Sequence, residues 1–299
     1  MTITLQNAHL AVTVLPERGG RIDQITDLAR NKDWLWHPAG YDASAPRELP
    51  AGAAFDTHWQ GGFEEMFPND AACVAGGRTL PDHGEAWSSV WMVAAQSERA
   101  ITLRLDCQSV PVQFEKRLTL ADDTPELQIE YRFTNHGVST LGTLLKLHPA
   151  IAIEEGDEIR VPDCDVEAVA LGFSTLIGQP GLSRWPHGRD PNGDQVPLDR
   201  ALPAASQARE FIYCSNLGEG RCGVYNPRTD STLELAFDTA EFPYVWLFQS
   251  YGGFDGHYVL MLEPCTSKPF ELSEVIAADT ALWLAPDFPR ALSLTLSVR

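Results

Sequence analysis

The feature that most constrains this chain is a hydrophobic repeat of period two. In LQIEYRFTN (127–135), Leu127, Ile129, Tyr131 and Phe133 alternate with Gln128, Glu130, Arg132 and Thr134. STLELAF (231–237) places Leu233, Leu235 and Phe237 on one side. Leu292, Leu294, Leu296 and Val298 repeat the pattern near the end. TITL, HLAVTVL and AITLRLDC read the same way. Side chains of a strand point alternately to opposite faces, so strict alternation gives one face to a core and one to water.

Turn-forming residues punctuate these runs: Asn135-His136-Gly137, Asn226-Pro227, Gly252-Gly253 and Pro286-Asp287. Amphipathic helical periodicity is nearly absent, and REFIYC (209–214) is too short to assign. Many short strands joined by Gly and Pro turns predict an all-β chain built as a large antiparallel β-sandwich. All-β units commonly exceed 200 residues, and no stretch reads as an interdomain linker, so residues 1–299 are expected to form a single domain. One segment interrupts the pattern. QPGLSRWPHGRDPNGDQVP, within 179–203, reads as a long excursion that either covers a site or is a surface insertion.

Charge narrows the partners. The formal net charge is −19, and basic residues occur as isolated pairs such as Lys116-Arg117. Such a surface repels nucleic acid and anionic membranes. The N-terminal residues lack the basic and apolar regions of a secretory leader, and no apolar run reaches membrane-spanning length. The six cysteines (73, 107, 164, 214, 222 and 265) contain no closely spaced pair for zinc and read as reduced thiols, so a cytoplasmic location is expected. No metal and no cofactor are expected. Asp190, Asn192 and Asp194 resemble part of a calcium loop, but its closing glutamate is missing.

Several residues could carry chemistry. His83 stands in LPDHGEAW among Gly, Pro and acids; the alternative is a loop histidine bonded to backbone. His148 ends an apolar run with Lys146 two residues before it on the same face; the alternative is a satisfied core histidine. Glu263 ends the hydrophobic run 258–262, where partial desolvation would raise its pKa and suit it to act as a base; the alternative is an exposed strand end. Trp59, Trp87, Trp185 and Trp246 offer aromatic faces of the kind that meet the C–H faces of sugars, or pack in the core. No GxSxG, P-loop or dinucleotide fingerprint occurs.

The order GGRI (19–22), GGFEEMFPND (61–70), LPDHGEAW (80–87), LHPA (147–150), VWLFQSYGG (245–253) and LMLEPCTSKP (260–269) resembles the galactose mutarotase-like superfamily, the aldose 1-epimerases and their relatives. The resemblance spans roughly residues 10–270. It implies a sandwich open on one face to a sugar, with His148 as general acid, Glu263 as general base and His83 beside the anomeric centre. Arg21, Glu65, Asp82, Trp87, Lys146, Trp246 and Gln249 lie in or beside the motifs and are the expected sugar contacts. Two departures stand out. Many epimerases read His-Gly-Phe-Ala-Arg where this chain reads His83-Gly84-Glu85-Ala86-Trp87, which argues against a sugar phosphate and for a neutral aldose. The aromatics of a His-x-Tyr-Phe setting are replaced by Ala150 and Ile151. The expected activity is interconversion of α and β anomers. Two further readings remain open on the same fold: a catalytically silent carbohydrate-binding protein, and a glycoside-processing enzyme using paired carboxylates such as Glu65 and Glu263.

Overall fold

The computed structural model describes residues 1–45, 49 and 53–299. Two large sheets carry the fold, and every ladder within them is antiparallel. The alternating segments form the expected strands, among them Leu10–Leu15, Ala100–Asp106, Glu126–Asn135, Ser231–Phe237 and Arg290–Val298. REFIYC lies within the strand Arg209–Ser215.

Eight strands make one sheet, in the order Glu158–Arg160, Arg221–Asn226, Ser231–Phe237, Arg290–Val298, Glu126–Asn135, Val112–Leu120, Ala100–Asp106 and Met92–Gln96. In the strands at its centre the pattern is buried-exposed, because one face packs inward and the other meets water.

The second sheet has eleven strands. Its central order is Arg21–Asp27, Phe63–Met66, Lys146–Ile151, His257–Cys265, Tyr244–Phe254 and Arg209–Ser215. Phe63–Met66 and Lys146–Ile151 are buried at every position, and His257–Cys265 is buried from Val259 onward. Both of their faces are covered. Leu147, Leu247, Leu260 and Leu262 join the core between the sheets. Met66, Ala150, Phe248, Val259 and Met261 belong to a separate apolar cluster on the opposite face, with Phe55, Trp59 and Trp87.

The excursion at 179–203 does not cover this outer cluster. It forms short strands, Ser183–Arg184, His187–Arg189 and Gln195–Pro197. Leu198 and Ala201 anchor it in the main core. The Asp190 carboxylate accepts from the backbone N–H of Asn192 and Asp194, so the supposed calcium-loop acid shapes a tight turn. No described helix is long and apolar enough to cross a membrane.

Candidate functional site

A cavity of about 310 Å³ opens on the outer face of the eleven-stranded sheet. Strand register explains its floor. Lys146 pairs with Cys265 and Ala150 with Met261, so His148 falls opposite Glu263. His148 also pairs with Glu64 on its other side, and Glu263 pairs with Trp246. Glu64, His148, Glu263 and Trp246 therefore form one row across four strands. The neighbouring row, one period along the strands, reads Ala150, Met261, Phe248 and Phe211.

His148 and Glu263 sit deeper than the sequence suggested. His148 lies inside the strand Lys146–Ile151 rather than at a strand end. Glu263 lies inside His257–Cys265 and is 1% exposed. Its Oε1 is 3.5 Å from His148 Nε2. Lys146 Nζ stands 2.5 Å from Asp70 Oδ1 and 3.6 Å from Glu263 Oε2.

Burial governs the protonation of this group. Desolvation raises the Glu263 pKa to about 7, with Lys146 pulling it down and Asp70 adding to the rise. Desolvation drives His148 well below the ordinary imidazole value, and the charges of Lys146 and His83 push the same way. Burial alone would lower Lys146, but Asp70 and Glu263 outweigh it and hold the ammonium charged.

His83 comes from a loop. His83 and Gly84 both have positive φ, 56° and 69°, in the left-handed region. The His83 N–H donates to Asp70 O at 2.6 Å, and a Cβ on Gly84 would lie 2.2 Å from Phe67 O. Glycine is thus required after His83 by close backbone approach as well as by φ. The imidazole stacks on Phe55 at 4.4 Å, and its Nδ1 lies 3.0 Å from Asp82 Oδ1. That hydrogen bond is the leading reason the Asp82 carboxyl is held below its usual value. Asp82 Oδ2 also accepts from the Phe55 N–H, tying the short helix Phe55–His58 to the rim.

Of the expected contacts, Asp82 and Lys146 line the cavity with His83, His148 and Glu263. The others do not. Glu65 points into the core between the sheets, bonded to Lys116 and Tyr131. Gln249, on the same inward face of its strand, donates to Leu198 O. Trp87 is buried beneath the loop and donates to Asp82 O. Trp246 lies under Lys146, whose Nζ is 4.7 Å from its ring centre, and donates to Ser267 O. Arg21 is buried behind the row, bonded to Asp23 and Tyr41 and 3.7 Å from Glu64. Glu85 turns away too, accepting from the Gln108 and Ser109 N–H groups and the Ser109 hydroxyl. It therefore plays no part in repelling phosphate. Among the described residues, the acids that do face the cavity are Asp56, Asp70, Asp82 and Glu263.

Asp56 and Asp70 were missed in the sequence, as was an aromatic wall. Phe173, Phe211, Phe248 and Phe254 line the end of the cavity away from Lys146, and Trp59 and Phe55 lie over His148. Asp70 sits in the motif GGFEEMFPND but beyond its strand, Phe63–Met66, so strand alternation did not mark it. Nothing local marks the phenylalanines, which come from separate strands and loops.

No protein-family model matches the chain, and no curated protein matches its sequence. Solved structures do match. A candidate aldose 1-epimerase from Escherichia coli K12 has a TM-score of 0.72 at 17% identity, over 100% of this chain and 99% of its own. A galactose mutarotase-like protein from Lactobacillus casei ATCC 334 gives 0.68 at 17% identity, with 100% of both chains covered. The Slr1438 protein from Synechocystis sp. PCC 6803 gives 0.72 at 18%, over 100% of this chain and 95% of its own. With the sheet order and the shared full-length architecture, these matches show that the chain has the galactose mutarotase-like fold.

Proposed function

We propose that this protein is an aldose 1-epimerase-like enzyme that interconverts the α and β anomers of a neutral aldose. The observation that carries the reading is the His148–Glu263 pair, 3.5 Å apart on the floor of the cavity. The anomeric hydroxyl and the ring oxygen are bonded to the same carbon. Two groups that exchange protons with them must therefore stand side by side, as these do. His148 Nδ1 and Glu263 Oε2 are also buried with no hydrogen-bond partner among the described residues, which suits groups that a polyol would satisfy.

The pKa directions set the starting state. One proton shared by the pair resides on Glu263, and His148 begins neutral. His148 then accepts the C1 hydroxyl proton while Glu263 donates to the ring oxygen. The C1–O5 bond breaks, an aldehyde forms, and rotation about C1–C2 turns its other face to O5. Closure returns both protons. This reverses the assignment made from the resemblance, in which Glu263 takes the C1 hydroxyl proton and His148 protonates the ring oxygen; the pKa directions favour the reversed order. Lys146 stabilises negative charge beside Glu263, and His83, oriented by Asp82, is placed to bond the hydroxyl on C1. A positioned acid or base contributes about 10²–10⁴-fold.

The four acids around the cavity favour a neutral sugar over a phosphorylated one. The six free thiols are in keeping with a reducing, cytoplasmic setting. We infer one domain for residues 1–299, since the main core draws on residues from Ile3 to Val298. Saturation-exchange NMR on a panel of neutral aldoses tests the activity. Faster α/β exchange, abolished in Glu263→Ala and His148→Ala variants that remain folded, is expected. Detectable sugar binding without exchange would replace this reading with that of a silent carbohydrate-binding protein.

A further inference from the structure

The cavity is divided. Asp70, Asp82, His83, Lys146, His148 and Glu263 gather at one end, and Asp56 has His83 as its strongest charged neighbour. The row that begins with Met261, Phe248 and Phe211 is a different surface, paired side by side on three adjacent strands. Two residues separate Met261 from Glu263, a step of about 7 Å along a strand. That is on the order of one sugar ring.

A loop bearing Phe173 and the end of the strand Tyr244–Phe254 border this row. Phe173 packs on Phe248 with ring centres 5.5 Å apart, and Phe254 lies 5.4 Å from Phe248 and 6.0 Å from Phe173. Arg209, the nearby cation, is committed to backbone: it donates to Phe173 O and Gly253 O, each at 2.9 Å. Its guanidinium lies 4.7 Å from the Phe173 ring centre. Phe173, Phe211, Phe248, Phe254 and Met261 offer no hydrogen-bonding side chain, and Trp59 in the same cluster carries a buried indole N–H with no partner among the described residues. A hydroxyl set among the phenylalanine rings would lose its water to apolar surface.

We propose that the substrate is a neutral aldose whose exocyclic group is apolar, with the 6-deoxyhexoses as its simplest members. Resting on the anomer-exchange reading, this names the substrate class. With C1 and the ring oxygen at the Glu263–His148 pair, C5 is the next ring atom, and its substituent extends into the Phe173–Phe248–Phe254 pocket. A methyl group fills that pocket; a hydroxymethyl group places an unpaired hydroxyl in it.

The test uses matched pairs: D-fucose against D-galactose, L-rhamnose against L-mannose, and 6-deoxy-D-glucose against D-glucose. Anomer exchange is followed by saturation-transfer NMR. The 6-deoxy member of at least one pair is expected to show kcat/KM higher by about 10–100-fold, the range a hydrophobic pocket achieves against an added hydroxyl. Phe254→Ser and Phe173→Ser alter a strand-end and a loop residue that are only partly buried, and are expected to bring that ratio close to one while thermal melting stays cooperative.

A second arm separates the substrate class from the reaction. Methyl glycosides cannot open their rings, so their binding, read by isothermal titration calorimetry, is independent of catalysis. Tighter binding of methyl β-D-fucopyranoside than of methyl β-D-galactopyranoside, or the same preference in the other two pairs, supports the class even if no free sugar exchanges; in that event only the anomer-exchange reading falls. Equal or weaker use of the 6-deoxy member in every pair that exchanges, or equal binding across all glycoside pairs, overturns the class and leaves anomer exchange standing where it is observed.

Discussion

Glu65 and Lys116 are bonded across the two sheets, Oε2 to Nζ at 2.7 Å, with both side chains wholly buried. Tyr131, which pairs with Lys116 in the neighbouring strand, donates to the other carboxylate oxygen at 2.9 Å. A carboxylate suggested by its motif to touch substrate is instead part of the core. Breaking a buried pair from one side leaves an uncompensated charge, at a cost of about 3–5 kcal/mol. Glu65→Ala is therefore expected to lower stability by that order in a denaturant titration. Glu65→Leu combined with Lys116→Met should recover most of the loss, since neither charge then remains. A Glu65→Ala variant of normal stability with impaired sugar binding would return this residue to the site.

The pH dependence follows from the His148–Glu263 pair. The active state carries one proton between them. Above about pH 7 Glu263 loses it, and no donor to the ring oxygen remains. Accordingly, kcat/KM is expected to fall as pH rises through 7, approaching tenfold per unit. On the acid side the limit is protonation of His148, which burial shifts well below the usual imidazole range, so activity persists into mildly acidic solution. The two apparent values belong to the pair as a whole. A rate that climbs steadily from pH 6 to pH 9 would contradict this proton inventory.

Gly84 offers a test of how the loop holds His83. A methyl group at this position meets Phe67 O at 2.2 Å and must also adopt a positive φ. Gly84→Ala is expected to displace the His83 ring from Phe55 and Asp82. Such backbone strain costs on the order of 1–3 kcal/mol. Anomer exchange should drop about as far as in His83→Ala. Near-normal exchange in Gly84→Ala, with the fold intact, would remove His83 from the proposed machinery.

How much of this was legible in the sequence depends on which faces of a strand are covered. Glu126–Asn135 is covered on one face, and its alternation announced both the strand and its inward residues. Lys146–Ile151 is covered on both, so its sequence shows an apolar run with two polar residues, and its start could not be placed. The same double burial hid Glu263 inside its strand. His148, Glu263 and His83 were nonetheless found, because a titratable residue set in an apolar or turn-rich context is locally visible. Glu65 was chosen because motif membership does not reveal parity: Glu64 is paired with His148 and Glu65 points to the other face, while Asp70 comes from the chain beyond that strand. The phenylalanine wall had no local signal, since Phe173, Phe211, Phe248 and Phe254 meet only when the sheet and the Phe173 loop are assembled.

Arg209 joins the Phe173 loop to the end of the strand Tyr244–Phe254, and its contribution is separable from the chemistry. The guanidinium bonds one carbonyl in each, at Phe173 and Gly253. Lysine has a single ammonium and cannot reproduce the planar two-point bridge. Arg209→Lys is expected to loosen the aromatic end and weaken binding by about 1 kcal/mol, a several-fold rise in KM. The His148–Glu263 pair, proposed to carry the chemistry, lies on other strands, so kcat should change little. A loss confined to kcat would show that the bridge acts on the pair rather than on the wall.

The raised pKa of Glu263 also carries a stability signature, and its sign is fixed. An ordinary glutamate titrates near 4.5, whereas folding raises this one to about 7. Below 4.5 the carboxyl is protonated in both states and contributes nothing. Between 4.5 and 7 the unfolded chain releases the proton and the folded chain keeps it, so stability falls as pH rises. The slope approaches about 1.4 kcal/mol per pH unit. Above 7 both states are ionised and the full penalty of burying the charge is present, reduced by the attraction of Lys146. Glu263→Gln lacks the titration. The stability of the Gln variant relative to the parent protein is therefore expected to climb between pH 5 and pH 7 and then level off, as read from denaturant midpoints across that range. Subtracting one protein from the other removes every other titrating group, so a flat difference would mean that Glu263 has an ordinary pKa and that the shared proton lies elsewhere.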